Sequence, residues 1–593
     1  MCGIVGIYSS RNSEIENRLV VGLKSQTHRG PDDQGVLYLK NDGVGLAQNR
    51  LSIIDTSFTG HQPMTTTHHG NEYAIVYNGE VYNYQELKNE LIALGYSFLS
   101  TSDTEVILKS YIEWGKNCVS KFRGMFALAI WDGRNKFLFI ARDRFGIKPF
   151  LYSNEGGEFI FASEVRTLLK MRDTAGPIDS AAIIDFLLFG SIRQPRSLYK
   201  SIKWLPKAHY GIVTTESVQL VRYWDLSEAV GSSRKQFAGI DYEEAKTELR
   251  QNLEEATRLH LISDVKVGAF LSGGIDSTAV VALMAKYYPA KLNTFTLGFE
   301  SSLTTFPGES EIASKTAKQL NTEHHTLTLT KSYFLDRIPD FFSAQDQPSI
   351  DGLNTYLISE FVSTDVKVVL SGLGGDELFL GYAYVSELMH RSTKAYSGEW
   401  VDFAAPLLDR LPRRWSRKLT LRYGNSIQRL LTIRRYLLLP DLEKIAFQWG
   451  VTKKEIAQYH DTLLDELALE IDKEAELMDN VSLFELNNYI PNTLLRDSDV
   501  MAMRHHKEIR PILLDHKLVE YALALPANYK LNKKILKDCL ADLIPDFVLK
   551  GKKLGFELPY DLWLSDLINN AKFYGGGSFK RHFFYLHQFL NSK

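Results

Sequence analysis

Near residue 240 the hydrophobic pattern of the chain changes, and that change divides what the sequence can fold into. Before it, short apolar runs at 73–77, 125–131 and 136–140 are separated by turn signals, with Asp132-Gly133 placed as a hairpin turn. A helix is expected at 85–94. After it, strand and helix alternate: helix at 242–259, strand at 265–271, helix at 277–288. The first pattern predicts stacked antiparallel sheet, and the second a parallel α/β sheet. From about 388 to 486 the chain reads as helical, with little motif content. The change-over is polar and rich in glycine and serine at 231–239, which suits a linker. The expected organisation is one domain at 2–212, a linker at 213–240 and a second domain at 241–593.

The chain has 593 residues, and at ~100–200 residues per domain it must hold more than one core. A net charge of −2 gives no bulk attraction to nucleic acid or to an anionic membrane. No apolar run approaches the ~20 residues a bilayer span needs. No signal peptide precedes Cys2, so a cytoplasmic protein is expected. Three cysteines, Cys2, Cys118 and Cys539, argue against a disulfide framework and share no metal-ligand spacing. The histidine pairs at 68–69, 324–325 and 505–506 diverge on any regular element, and structural or surface roles are expected for them.

Cys2-Gly3 opens an apolar run at the N-terminus. Removal of Met1 would leave one residue carrying both a thiol and an α-amine, a nucleophile with its own base. Four polar segments follow: 28–32, 49–55, 77–83 and 102–105. A thiolate attacking an amide makes an oxyanion that needs donors, and the Asn78 side chain and the Gly79 N–H suit that, at a turn expected directly after a strand. Arg50 suits an α-carboxylate. Either Asp103 or Glu80 can pair with an α-ammonium.

With these segments, residues 2 to about 200 resemble the class II glutamine amidotransferases, which are N-terminal nucleophile hydrolases. The stretches 143–149 and 161–164 fit one subgroup. The resemblance implies an αββα sandwich, a glutamyl thioester on Cys2, ammonia release, and glutamine binding by Arg50, Ile53, Ile54, Asn78, Gly79, Glu80 and Asp103.

In the second part, the strand at 265–271 leads into Ser272-Gly273-Gly274-Ile275-Asp276-Ser277 and a helix. A strand, a glycine turn and a helix N-terminus make an anion site, and Ser272 and Ser277 add hydroxyl donors. No Walker lysine is present. The segment resembles the pyrophosphate loop of adenylating synthetases, which implies ATP cleavage between the α- and β-phosphates, an acyl-adenylate and Mg2+. A second glycine turn, Ser371-Gly372-Leu373-Gly374-Gly375-Asp376-Glu377, follows another strand.

The order of motifs from end to end is similar to the glutamine-hydrolysing asparagine synthetases. That resemblance implies nucleotide contacts at Leu271, Ser272, Gly273, Gly274, Asp276, Ser277, Leu297, Ser371 and Gly372. It places Asp276 and Asp376 near metal and pyrophosphate, Lys553 as the catalytic lysine with Glu508 as a nearby acid, and an ammonia tunnel between the halves.

Three features depart from well-studied members. Leu373 stands where they carry glutamate, and the run 346–356 lacks their acceptor-pocket arginine. Arg510-Pro511 also lacks an intervening apolar residue. The expected partners are glutamine, ATP and a carboxylate acceptor, with no nucleic acid and no membrane, and a homodimer as the candidate assembly. Aspartate is the first-choice acceptor. The alternative is another carboxylate, such as a sugar uronic acid of a surface polysaccharide or a secondary-metabolite acid. A scaffold with an inactive first half fits poorly with intact Cys2, Arg50, Asn78, Gly79 and Asp103. A sugar-phosphate aminating enzyme fits poorly with the loop at 272–277.

Overall fold

The computed structural model describes residues 2–10, 14–172, 174–300, 308–392, 411, 413–471, 477–551, 563–564 and 579–591. Two six-stranded sheets form the first half. One runs in the order Lys203–Trp204, Leu151–Glu155, Glu158–Ala162, Cys2–Ser9, Val44–Arg50, Asp33–Leu39. The other runs Val218–Arg222, His209–Val213, Phe137–Arg142, Gly124–Asp132, Asn71–Val81, Met64–His68. Neighbouring strands within both sheets run antiparallel.

Period-two alternation explains the layering. On the first strand, Ile4 and Tyr8 pack between the sheets. Val5 and Ile7 turn outward onto the helices Ile15–Ser25 and Val165–Met171. On Asn71–Val81, Ala74 and Val76 face inward while Ile75 and Tyr77 pack outward with the helices Tyr84–Ala93 and Asp103–Trp114. The result is helix, sheet, sheet, helix, as expected. The expected hairpin at Asp132-Gly133 is present, with Asp132 paired to Phe137.

Asn78-Gly79 is not a turn. It lies inside Asn71–Val81, because the neighbouring strand Gly124–Asp132 pairs with it along its whole length to Val81. Nor is 213–240 an open linker. Val218–Arg222 pairs with His209–Val213, so the second sheet runs past residue 212. The helix Leu226–Gln236 follows, capped by the Asp225 side chain on Glu228 N–H. Leu226 and Val230, one turn apart, bury its inner face, and this packing overrides the glycine-serine composition.

The second half holds a five-stranded parallel sheet in the order Glu323–Leu329, Asn293–Phe299, Lys266–Phe270, Val366–Ser371, Glu508–Pro511. The helices Tyr242–His260 and Ile275–Tyr287 match the expected positions. The region 388–486 is helical wherever it is described in regular structure, for example Ser426–Arg434 and Lys453–Ala468.

One apolar cluster crosses from the first half to the second, running from Leu51 and Phe126 to Leu370 and Leu518. Buried ion pairs also cross. Arg123 clasps Asp515 at 2.7 and 2.9 Å. Arg510 lies 3.3 Å from Glu80. Arg29 meets Asp499 at 2.6 Å.

Candidate active sites

Strand alternation decides which polar groups meet between the two sheets. Cys2 shares a face with Ile4, and Asn78 and Glu80 share one with Ala74 and Val76. Cys2 and Asn78 therefore converge at one end of that layer. The backbone N–H of Cys2 donates to Asn78 Oδ1 at 2.9 Å. The other side of the same amide, Asn78 Nδ2, is buried without a hydrogen-bond partner. An unspent buried donor is costly in a resting structure. Beside a nucleophile, a donor of this kind can stabilise a developing oxyanion. A Cβ built on Gly79 would stand 2.1 Å from the Met125 carbonyl oxygen, at φ +152°, so only glycine fits.

Cys2 is 7% exposed, and burial pushes its thiol up, with the Arg50 charge pulling the other way. A thiol so placed needs a base to ionise. Arg50 pairs opposite Cys2 in the ladder. Its Nη atoms donate to the carbonyls of Ser57 and Ile54 at 3.1 Å each, and to that of Asp55. The fork expected for a carboxylate is thus spent on the loop that follows it, where Asp55 holds φ +54°. Ile53 and Ile54 are buried, and the Ile53 carbonyl accepts from Asp264 N–H at 3.0 Å.

The two acids considered for an α-ammonium have different settings. Asp103 accepts from Tyr77 O–H at 2.9 Å and Val81 N–H at 3.1 Å, and burial pushes it up to about 6. Glu80 faces Arg510, and burial raises it well above the carboxylate range.

Glu508 is not at the nucleotide. It lies on the edge strand Glu508–Pro511, its Oε1 accepts from Arg510 Nε at 2.6 Å, and its charge acts on Cys2, Glu80 and Asp103. The reason is topological: that edge strand packs against the first half, so its side chains meet the glutaminase-like layer. Burial pushes the Glu508 carboxyl up, but Arg510 together with Lys148 and other nearby positive charge outweighs it and holds it at about 2.

Parallel neighbours put the two glycine turns side by side at the carboxyl ends of Lys266–Phe270 and Val366–Ser371. The turns interlock. A Cβ on Gly372 would come within 2.8 Å of the Asp276 and Ser277 backbone, and one on Gly375 within 2.3 Å of Asp276 Cγ. The hydroxyls of Ser272 and Ser277 are 2.8 Å apart, and Gly274 N–H donates to Ser272 Oγ at 3.2 Å. The helix Ile275–Tyr287 starts with Gly274 as a cap that supplies no side-chain acceptor. This is the build of an anion cradle.

The turns wall a cleft of about 370 Å3. Every residue expected at the nucleotide lines it except Gly273 and Gly274, which belong to the turn beside it, and Asp376 lines it too. Leu373, Asn354, Thr355, Glu377, Tyr382 and Leu494 line it as well. Lys553 lies outside the described residues.

Lys533 was not singled out from sequence. Its ammonium sits 2.5 Å from Asp276 and 2.6 Å from Asp376. Burial pushes it down, but the two carboxylates outweigh that and raise it. It takes φ +60° directly after Asn532 at +54°, a strained pair for non-glycine residues. A lysine before a short helix carries no sequence signal for either property. The histidine pairs make single hydrogen bonds to neighbouring elements, such as His324 with Thr294 and His506 with the His28 carbonyl. Among the described residues no group of three or more His, Cys, Asp or Glu is arranged to hold a metal. No described helix is long and apolar enough to cross a membrane.

Residues 1–224 match the model of a glutamine amidotransferase domain, and residues 248–573 that of asparagine synthase. Over 579 residues the chain is 30% identical to asparagine synthetase [glutamine-hydrolyzing] 3 of Bacillus subtilis, covering 93% of this chain and 86% of that one. It is 30% identical to asparagine synthetase [glutamine-hydrolyzing] 1 of the same organism, with 96% and 89% covered. It is 26% identical to amidase chyE of Penicillium rubens, with 95% and 89% covered. Two catalytic layouts in one fold, each matched by its own family model, make the chain a glutamine-dependent, ATP-using ligase that belongs to the glutamine-hydrolysing asparagine synthetase family.

Proposed function

We propose that Cys2 cleaves glutamine and that the ammonia released converts an acyl-adenylate, made in the cleft at Ser272–Ser277, into an amide. The observation that carries this reading is the buried, unspent Asn78 Nδ2 beside Cys2, in the same chain as a cleft walled by interlocked glycine turns. With Met1 removed, the Cys2 nitrogen becomes an amine beside Asn78 Oδ1 and accepts the thiol proton. The thiolate attacks the glutamine carboxamide carbon. Asn78 Nδ2 and the Gly79 N–H stabilise the oxyanion, ammonia leaves with the proton, and water hydrolyses the thioester. Asp103, rather than the Arg510-paired Glu80, binds the α-ammonium. Arg50 shapes the loop that meets the α-carboxylate.

In the second half, Ser272, Ser277 and the helix start hold the pyrophosphate. The acceptor carboxylate attacks the α-phosphorus, and pyrophosphate leaves. Asp276 and Asp376 converge on the position that the Lys533 ammonium fills, and as hard oxygen donors they would be the residues to hold Mg2+ beside that ammonium. When bound, the ion would neutralise the departing charge. Lys533 adds a fixed positive charge at the same place.

Aspartate is the acceptor that the relatives' names indicate. A second reading, a different carboxylate, is favoured by Leu373 in the cleft wall and by the lack of any Arg or Lys among the described residues lining it. The test is AMP and pyrophosphate release with glutamine, ATP and each acid of a panel that includes aspartate. Failure of every acid to yield AMP would sink the proposal. For the first half, Gly79→Ala is expected to lower glutamate release roughly 10²-fold, because the strand must shift by about an ångström. It should also destabilise the fold by about 1–3 kcal/mol. A steady-state glutaminase assay with a thermal melt measures both.

A further inference from the structure

We infer that Asp499, in the second half of the chain, is a positioning residue for glutamine cleavage in the first half, acting through the Arg29 guanidinium on the Cys2 backbone. The inference rests on the Cys2 reading above and adds residues that take no part in it.

The polar segment 28–32 is tied to the second half along its length. The His28 carbonyl faces His506 Nδ1 at 2.7 Å, Arg29 Nη2 donates to Asp499 Oδ2 at 2.6 Å, and Asp32 Oδ2 accepts from Lys367 Nζ at 2.7 Å. Asp499 lies within the helix Leu495–Met503, and His506 lies in the turn that follows it.

The short turn Thr27–Arg29 lies flat on the strand Val44–Arg50. A Cβ built on Gly30 would stand 2.4 Å from the Asn49 carbonyl carbon and 2.5 Å from the Arg50 nitrogen. That strand pairs with Cys2 through Arg50. From this turn Arg29 Nε donates to the Cys2 carbonyl at 3.3 Å, while Asn78 Oδ1 accepts from the Cys2 N–H at 2.9 Å. The nucleophile's backbone is thus gripped at both ends, and the direction of its thiol follows from both contacts.

Charge gives Asp499 its control. The Arg29 side chain is fully buried, and its counter-charges are Asp499 and, at 3.2 Å, Glu164. Glu164 is shared, since His28 lies 2.8 Å from it and Arg166 3.0 Å. A buried cation that loses its partner is strongly unfavourable. With Asp499 neutralised, the guanidinium is expected to turn toward Glu164 and off the Cys2 carbonyl. Chain position alone would assign Asp499 to adenylation, because Leu494, just before its helix, lines the nucleotide cleft. Asp499 also lies 3.9 Å from Lys148, so an Arg29 variant separates the two routes.

Asp499→Asn, Arg29→Met and the double variant, each in the full chain, test this. Two reactions are measured: glutamate release, and AMP formation with ammonium chloride and the acid that the panel identifies. Each single variant is expected to lower kcat for glutamate release at least tenfold, since small misplacements of a nucleophile are costly. The KM for glutamine and the ammonia-dependent reaction should stay within twofold of wild type. The double variant should match the worse single variant within twofold, because both act through one contact. Losses that multiply in the double variant overturn the route through Arg29. Unchanged glutamate release in Asp499→Asn, or a change confined to KM, overturns the inference. So does an equal loss of both reactions, which would make the pair a tie between the halves and nothing more. Glutamate release that survives Cys2→Ala, or no AMP with any acid, removes the underlying reading instead.

Discussion

Cys2→Ala is expected to lower glutamate release from glutamine by roughly 10⁴-fold or more, the scale seen when a covalent nucleophile is deleted. Amide and AMP formation with ammonium chloride as nitrogen source should persist, because the cleft at Ser272–Ser277 takes no side chain from the Cys2 layer. The split follows from geometry. The Cys2 nitrogen lies against Asn78 Oδ1 with the Asn78 Nδ2 donor unspent, and burial holds the thiol in its protonated form. The only base within the same residue is an amine that exists once Met1 is gone. A preparation retaining Met1, identified by intact mass, should therefore behave like the alanine variant. Glutaminase activity surviving in Cys2→Ala would end the assignment of the nucleophile.

Much of this was legible in sequence where a local pattern carried it. Short apolar runs located the strands at 73–77, 125–131, 136–140 and 265–271, and the two glycine turns announced a shared cleft because parallel neighbours end on the same edge. Asn78-Gly79 misled because its turn signal is local. Whether a strand stops there depends on its neighbour, and Gly124–Asp132 keeps pairing to Val81. The glycine-serine stretch after Val230 misled likewise, since the buried Leu226 and Val230, one turn apart, outweigh composition. Glu508 moved from the expected nucleotide site to the Cys2 layer because its strand is the sheet edge that faces the first half. Lys533 was invisible: its role depends on a positive φ and on two aspartates more than 150 residues away. Long-range placement, rather than residue type, is what the one-dimensional pattern lacked.

The largest stability effect is expected for Arg510→Met. The Arg510 side chain is fully buried, bonded to Glu508 at 2.6 Å, to the His260 and Ile262 carbonyls at 2.8 and 2.7 Å, and 3.3 Å from Glu80. Removing it strands a buried carboxylate, which costs ~3–5 kcal/mol. Spread over the unfolding entropy of 593 residues, that loss should lower the thermal midpoint by roughly 3 °C. The penalty falls chiefly on Glu508, since burial already raises Glu80 toward its neutral form. Adding Glu508→Gln to Arg510→Met should therefore recover much of the loss, whereas simple additivity would deepen it.

The pH dependence has a definite sign. In the wild type the folded Glu508 carboxyl is held at about 2, below the ~4.3 of an unfolded glutamate, so its stabilisation is present above that value and lost as pH falls toward 2. Without Arg510, burial is opposed by the remaining N-terminal and Lys148 charges, the folded value rises, and the penalty then grows with pH. The gap in thermal midpoint between wild type and Arg510→Met should narrow from pH 8 to pH 5. A gap that stays constant over that range would mean that the arginine acts through packing and its two carbonyl contacts rather than through charge.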